Sequence, residues 1–399
     1  MDKQGGSMNT LIELYDERPL ENVVGVEMFR PERVVYICPK DAGGSALQAK
    51  LKAYFDHRGL KPELVFLNAS VFDTEAMLRR LRKAVEQFPD CVLDITGGTD
   101  AVLFAAGLLC SETSIPVFTY SRKRNRFYNI QNAPFAANIP CNIVLSVADS
   151  FRMAGGVMRP GRTDNSTLSN YMEDIEPFFR LYMKHRRQWV RIITFMQKIS
   201  PATPEGSYSL EVSGPFRVKG ERSAYIDAPR EALLDMEAIG LISNLRIVEG
   251  ESVSFRYRDD QTRVWLRDVG IVLELYVYKA CRDSGLFNDV VTSAIVDWHD
   301  TGKRNAVSNE LDVVCTRGLT PVFISCKTGE AKTEALNELA ILRDRFGGGI
   351  ARAAIVTAER GGIPMRNRAS ELGIDVIDLN DLLAGRLPKR LEKLMRPGK

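Results

Sequence analysis

Asn309-Glu-Leu-Asp-Val-Val314 and Val322-Phe-Ile-Ser-Cys-Lys-Thr-Gly329 decide how the last third of this chain folds and what it holds. Each is a short apolar run with a charge set into it, Asp312 in the first and Lys327 at the end of the second. Such runs read as paired, largely buried strands. A carboxylate is expensive to bury unless it is paired or binds a metal. Just upstream, Gly270-Ile-Val-Leu-Glu274 belongs to an otherwise apolar helix predicted over 265–281 and carries a third charge, Glu274. An acid on a helix, an acid on a strand and a lysine ending the next strand can converge on one point. Two carboxylates hold a hard cation such as Mg2+ or Mn2+, and a nearby lysine supports a bound water or a developing charge. Asp312 and Lys327 suit a structural ion pair as well, and Glu274 suits an exposed helix position.

Around these segments the pattern predicts a unit over 261–399. Its strands are 290–298, 310–315, 321–325, 353–357 and 374–377, and its helices are 334–346 and 381–394. A first unit, 8–148, alternates strand and helix, which implies a parallel sheet covered on both faces. Its strands are expected at 10–14, 33–38, 63–67, 91–95 and 115–120, followed by a hairpin over 118–128 with the basic turn Arg122-Lys-Arg-Asn-Arg126. Right-handed crossovers make it Rossmann-like, with a ligand site at the carboxyl ends of the strands. Between the two, 149–260 reads as a linker over 155–169, a long helix over 173–200, and a helix (230–241) with a hairpin (245–248 and 252–257), the outline of a winged helix. The fold class is therefore α/β with a helical, winged-helix-like middle.

The first unit has its own candidate site. Asp94-Ile-Thr-Gly-Gly-Thr99 joins a strand to a helix. Paired glycines let backbone approach a ligand, and a helix N-terminus offers free N–H groups to a phosphate. Thr96 or Thr99 is expected to cap that helix. Two loops should share the rim: one after the first strand, with Asp16 and Asn22, and one after the second, with Lys40 and Gly43. The same features also suit plain surface loops. There is no Walker A loop and no Gly-x-Gly-x-x-Gly fingerprint.

Composition narrows the class without naming it. The net charge of +3 permits nucleic-acid binding only through a local basic patch. Seven cysteines without a Cys-x-x-Cys pair point to a reducing cytosol, and three scattered histidines argue against a zinc site. No apolar run is long enough to span a bilayer, so no membrane role is expected.

The Asp312, Ser325 and Lys327 pattern resembles the PD-(D/E)xK nuclease core, with Asp312 and Ser325 thirteen residues apart. Joined to the Thr-Gly-Gly-Thr turn and a winged middle, it resembles the CARF-domain effector nucleases of type III CRISPR systems. The resemblance implies a homodimer whose first domains bind a cyclic oligoadenylate, most often cyclic tetra-adenylate. Binding would activate metal-dependent cleavage of DNA or RNA. It implies ligand contacts at Thr96, Gly97, Gly98 and Thr99, and a nuclease site at Glu274, Asp312, Ser325 and Lys327. Glu274, Asp312 and the backbone carbonyl of Cys326 would hold the metal. The chain departs from the pattern at Ser325, where the family usually places an acid, and at Asp100, where close relatives often have a lysine. Glu338 on the following helix is the candidate replacement acid, ahead of Glu310 and Glu330. The alternative is a ligand-responsive DNA-binding regulator whose nuclease-like domain is degenerate.

Overall fold

The computed structural model describes residues 9–39, 45–160, 165–200, 209–220, 224–298 and 308–396. Lys40 and Gly43 lie outside the described residues.

The first unit is a seven-stranded sheet with helices on both faces. Its elements are β1 (Thr10–Leu14), α1 (Val24–Phe29), β2 (Arg33–Cys38), α2 (Ser45–His57), β3 (Glu63–Asn68), α3 (Thr74–Gln87), β4 (Cys91–Asp94), α4 (Asp100–Glu112), β5 (Val117–Ser121), β6 (Arg126–Gln131) and β7 (Ile139–Pro140). The strand order is β3-β2-β1-β4-β5-β6-β7, parallel through β5, after which the β5–β6 hairpin turns the sheet antiparallel. Order reverses between β1 and β4, so the loops leaving these strands flank the crevice where open α/β sheets bind ligands.

The third unit is a six-stranded sheet. Before it run α5 (Val147–Met153) and β8 (Val157–Pro160). The middle contributes α6 (Met172–His185), α7 (Trp189–Ile199), β9 (Glu211–Pro215), β10 (Arg217–Lys219), β11 (Tyr225–Asp227), α8 (Arg230–Ala238), β12 (Ile242–Val248), β13 (Ser252–Tyr257) and α9 (Asp260–Trp265). The last stretch holds α10 (Ile271–Asp283), β14 (Asp289–Asp297), β15 (Ser308–Arg317), β16 (Thr320–Lys327), α11 (Thr333–Gly347), β17 (Arg352–Thr357), α12 (Ile363–Glu371), β18 (Asp375–Ile377), α13 (Leu379–Leu383) and α14 (Leu387–Leu394). Strand order is β18-β17-β16-β15-β14-β8. β8 lies in the segment expected to be linker, yet it pairs antiparallel with β14 and completes the sheet edge.

The middle shows a helix followed by a hairpin, extended by a third strand in the order β12-β13-β9. Its core runs unbroken into one face of the C-terminal sheet: α6, α7 and α10 pack together with Val313, Val322 and Ile324. Phe179 stacks on Tyr276 with ring centroids 3.6 Å apart. One core therefore spans the boundary expected at residue 260.

Two expected helices are broken and a third is shortened. The helix over 173–200 breaks into α6 and α7 at a 3-10 turn, Arg186–Gln188, which lets Trp189 fold back onto Phe178 and Tyr182. The helix over 265–281 starts later, because Asp268 accepts from the N–H groups of Gly270 and Ile271 and opens α10 there. The helix over 381–394 is two, α13 and α14, parted by Gly385 at φ +61°.

Candidate functional site

β15 and β16 bring Asp312 and Ser325 side by side. Their backbone ladder reaches Val313 and Ile324. Beyond that pair the Asp312 side chain takes over: Oδ2 accepts from the Cys326 N–H at 2.6 Å, the Ser325 hydroxyl at 3.1 Å and Lys327 Nζ at 3.4 Å. Three donors on one oxygen fix the carboxylate. Cys326 turns its N–H toward β15, and a strand residue's carbonyl leaves on the same edge as its N–H. The thiol itself is buried, and burial raises it well above its ordinary range.

Glu274 approaches from α10. Burial, then the Asp312 carboxylate, then Asp268 push its carboxyl up to about 8. The exposed-face position expected as one reading of Glu274 is therefore not what the fold gives it. Ser293 in β14 donates to Glu274 Oε2 at 3.2 Å. It does so from a left-handed backbone at φ +51°, unusual for a residue with a Cβ. Its neighbour Thr292 is held on both backbone groups by the Asn165 amide, at 3.0 and 2.8 Å, and its hydroxyl donates to the Asp312 carbonyl. Ser293 and Asn165 are site residues that sequence reasoning missed.

A small cavity of about 50 Å3 opens here, lined by Glu310, Asp312, Ser325, Lys327 and Glu338. Glu338 thus faces the site, but its Oε1 accepts from Asn309, whose own Oδ1 accepts from Trp298. Among the described residues no three His, Cys, Asp or Glu side chains are grouped to hold a metal ion. The set is instead two converging carboxylates plus backbone oxygen. It is a hard-oxygen set, and it carries a carboxyl repulsion that a cation would relieve. That chemistry fits Mg2+ or Mn2+ retaining several waters.

In the first unit, Asp94-Ile-Thr-Gly-Gly-Thr99 leaves β4 and opens α4. The structure corrects several details. Thr99 occupies the N-cap position without a side-chain cap bond and donates instead to Val71. Thr96 points inward, its hydroxyl bonded to Asp94 and accepting from the Tyr120 N–H. Gly97 is buried against the Leu14 carbonyl. Asn22 does not face the rim: its amide is spent on Asp16 and Arg18 backbone. Asp16 is at the turn, accepting from the Gly98 N–H at 3.2 Å while paired with Arg18. Burial would raise Asp16, but the Arg18 bonds outweigh it and hold it below its ordinary value.

Beneath this turn lies a carboxyl pair. Glu13 and Asp94 are register partners on β1 and β4, fully buried, both against Gly25 of α1, where a Cβ would collide with each. Neither Glu13 oxygen nor Asp94 Oδ2 has a hydrogen-bond partner. Burial, and after it Asp94, raises Glu13 well above the carboxylate range. Burial also pushes Asp94 up to about 7 against its Thr96 bonds. Raised carboxyls hold protons more tightly in the folded chain, so their share of stability is present at low pH. It is lost as pH rises from the unfolded value near ~4 through the folded one. Glu13→Gln removes one of the two ionisations. It is expected to flatten the fall in melting temperature between about pH 5 and 8 and to raise the melting temperature at pH 8; an unchanged slope would contradict this.

Residues 235–396 match the family described as Card1-like, endonuclease domain. Protein VC1899 from Vibrio cholerae superposes with TM-score 0.73 at 16% identity, covering 97% of this chain and 98% of that one. Can2 from Sulfobacillus thermosulfidooxidans, solved with cyclic tetra-adenylate, superposes with TM-score 0.71 at 19% identity, covering 97% and 99%. No curated protein matches the chain. Among the described residues no helix is long and apolar enough to cross a membrane. The chain therefore shares its overall fold with VC1899 and Can2, and its C-terminal residues 235–396 match a family of Card1-like endonuclease domains.

Proposed function

We propose that the chain is a homodimeric nuclease of type III CRISPR defence, switched on by a cyclic oligoadenylate, cyclic tetra-adenylate foremost, and cleaving DNA or RNA with Mg2+ or Mn2+. The observation that carries the reading is the convergence of Glu274, Asp312 and Lys327, with Asp312 Oδ2 held by three donors, inside a domain of an endonuclease family. Glu274, Asp312 and the Cys326 carbonyl would hold the cation. When bound, it supplies Lewis-acid stabilisation of the charge that gathers on the phosphate. Ser325 and the Cys326 N–H orient Asp312. Lys327, whose side chain is 40% exposed, is placed to meet an incoming phosphate or an attacking water. Ser325 acts here as a positioning donor, which accounts for a serine where relatives carry an acid. Glu310 and Glu338 both stand at the cavity wall as further acids.

The activator reading rests on the turn over 96–99 at the sheet's switch point. A dimer is supported by α4, whose outward face exposes Leu103, Phe104 (64%) and Leu108 around an open Gly107. Two copies packed on this face would bring their turns together. Phe104→Asp is expected to convert a dimer to a monomer in light scattering and to abolish ligand-dependent activity; a dimer of unchanged strength would remove α4 from the interface.

Labelled DNA and RNA incubated with Mn2+, with and without EDTA, test the nuclease reading. Cleavage that EDTA stops supports it, as does a rise in melting temperature with Mn2+ that Asp312→Asn loses. The regulator alternative predicts sequence-specific retention of DNA without cleavage, and the family match of residues 235–396 weighs against it.

A further inference from the structure

A cleft of about 870 Å3 opens between the first unit and the C-terminal sheet, and nothing in the nuclease reading uses it. Its walls are firmly built. The β15–β16 tip turns at Gly318, φ +58°, and plugs into the first unit: the Leu145 N–H donates to the Gly318 carbonyl at 3.0 Å, and Leu319 is buried in that unit's core. Asn288 Oδ1 accepts from the Gly318 N–H at 2.6 Å and fixes the tip from behind. Across from it stands the hairpin turn between β5 and β6.

The charge on these walls has one sign. Arg122 and Lys123 face the cleft from the hairpin, Arg317 and Arg352 from the sheet, and no Asp or Glu lines it. Arg122 pairs with Glu21. Among the described residues, Lys123, Arg317 and Arg352 form no ion pair. Cations collected in a concave, low-dielectric setting repel one another and concentrate anions. The size is that of a small-molecule site, and Ile143, Leu319 and Ile350 add apolar wall.

We propose that this cleft binds a small anion carrying several phosphate groups, of nucleotide size, as a second ligand site. Its lining is distinct from that of both sites above, although Tyr120 on its wall donates its N–H to the Thr96 hydroxyl of the activator turn. No residue of 96–99 lines it. Arg317 ends β15, five residues from Asp312 in the middle of that strand, ~17 Å at the rise of a strand. An occupant touches both units, so it would fix their relative position and bias the nuclease between states.

The test uses the full chain with ATP and inorganic triphosphate as probes, read by calorimetry at low and moderate salt. Wild type is expected to bind one of them, more weakly as salt rises. The Arg317→Glu/Arg352→Glu double variant is expected to lose at least about ten-fold in affinity, about 1.4 kcal/mol. Lys123→Glu, on the opposite wall, is expected to weaken binding too, and Gly97→Val to leave it intact. Melting curves confirm that each variant folds. No binding by wild type overturns the proposal, and so does equal binding by the double variant. Loss in Gly97→Val comparable to that in the double variant would assign the probe to the activator turn. Tighter binding of a short single-stranded DNA that also depends on Arg317 and Arg352 would make the cleft a nucleic-acid track, against the small-ligand reading.

Discussion

Asp312→Asn is expected to lower cleavage by about 10³-fold while leaving the fold and activator binding intact. The carboxamide keeps the shape of the side chain and an oxygen for the Cys326 N–H and the Ser325 hydroxyl, so the β15–β16 corner survives. It loses the charge. With one carboxylate of two gone, a divalent cation would keep only the Glu274 charge beside the neutral Cys326 carbonyl, and the charge developing on phosphate would be less well stabilised. Metal stabilisation of such charge contributes several kcal/mol, and ~4 kcal/mol corresponds to about 10³ in rate. Single-turnover cleavage with saturating Mn2+ checks it. Cleavage within about three-fold of wild type would remove Asp312 from the site.

Gly97→Val is the second large effect, and it acts at the other end of the molecule. A Cβ on Gly97 lies 2.6 Å from the Leu14 carbonyl and 3.0 Å from Asp16 Cβ. Neither is the loose end of a side chain: the first is β1 backbone. Overpacking of this kind costs ~1–3 kcal/mol. The turn can yield only by moving Gly98, whose N–H is held on Asp16 and whose φ is +102°. The shape offered to the activator changes with it, and the expected outcome is a ligand affinity about 10- to 100-fold weaker. Calorimetry with cyclic tetra-adenylate, beside melting curves, separates loss of the site from loss of the fold. Unchanged affinity would show that the turn does not contact the activator.

These two residues also mark what the sequence made legible. Asp312 and Lys327 stand out because a charge inside a β-branched run has few uses, and the strand pairing that joins them follows from the short connection between the runs. Gly97 shows in the sequence as one of a glycine pair at a strand end, whereas its burial against the Leu14 carbonyl does not. The meeting of Glu274 with Asp312 was readable only as a possibility of topology. Beside it a left-handed Ser293 donates to Glu274, next to a Thr292 held by Asn165, and a serine carries no mark of its φ in a sequence. Glu13 does not stand out inside the apolar strand Thr10–Leu14, because its neighbour Asp94 is eighty-one residues away and adjacent only through the parallel pairing of β1 with β4. Loop composition places Asn22 at the rim, whereas the loop folds inward and spends the amide on its own backbone. The break of the helix over 173–200 was hidden for a related reason: apolar spacing is kept on both sides of Arg186–Gln188, so periodicity alone reads straight through.

The central claim is that occupancy of the first unit switches chemistry in the third. Cleavage of labelled plasmid, single-stranded DNA and RNA by the wild-type chain in Mn2+, measured with and without cyclic tetra-adenylate, tests it most directly. The account predicts cleavage of at least one substrate that needs both the cation and the cyclic ligand. Cleavage at the same rate without the ligand, or none with cyclic oligoadenylates of any ring size, would contradict it.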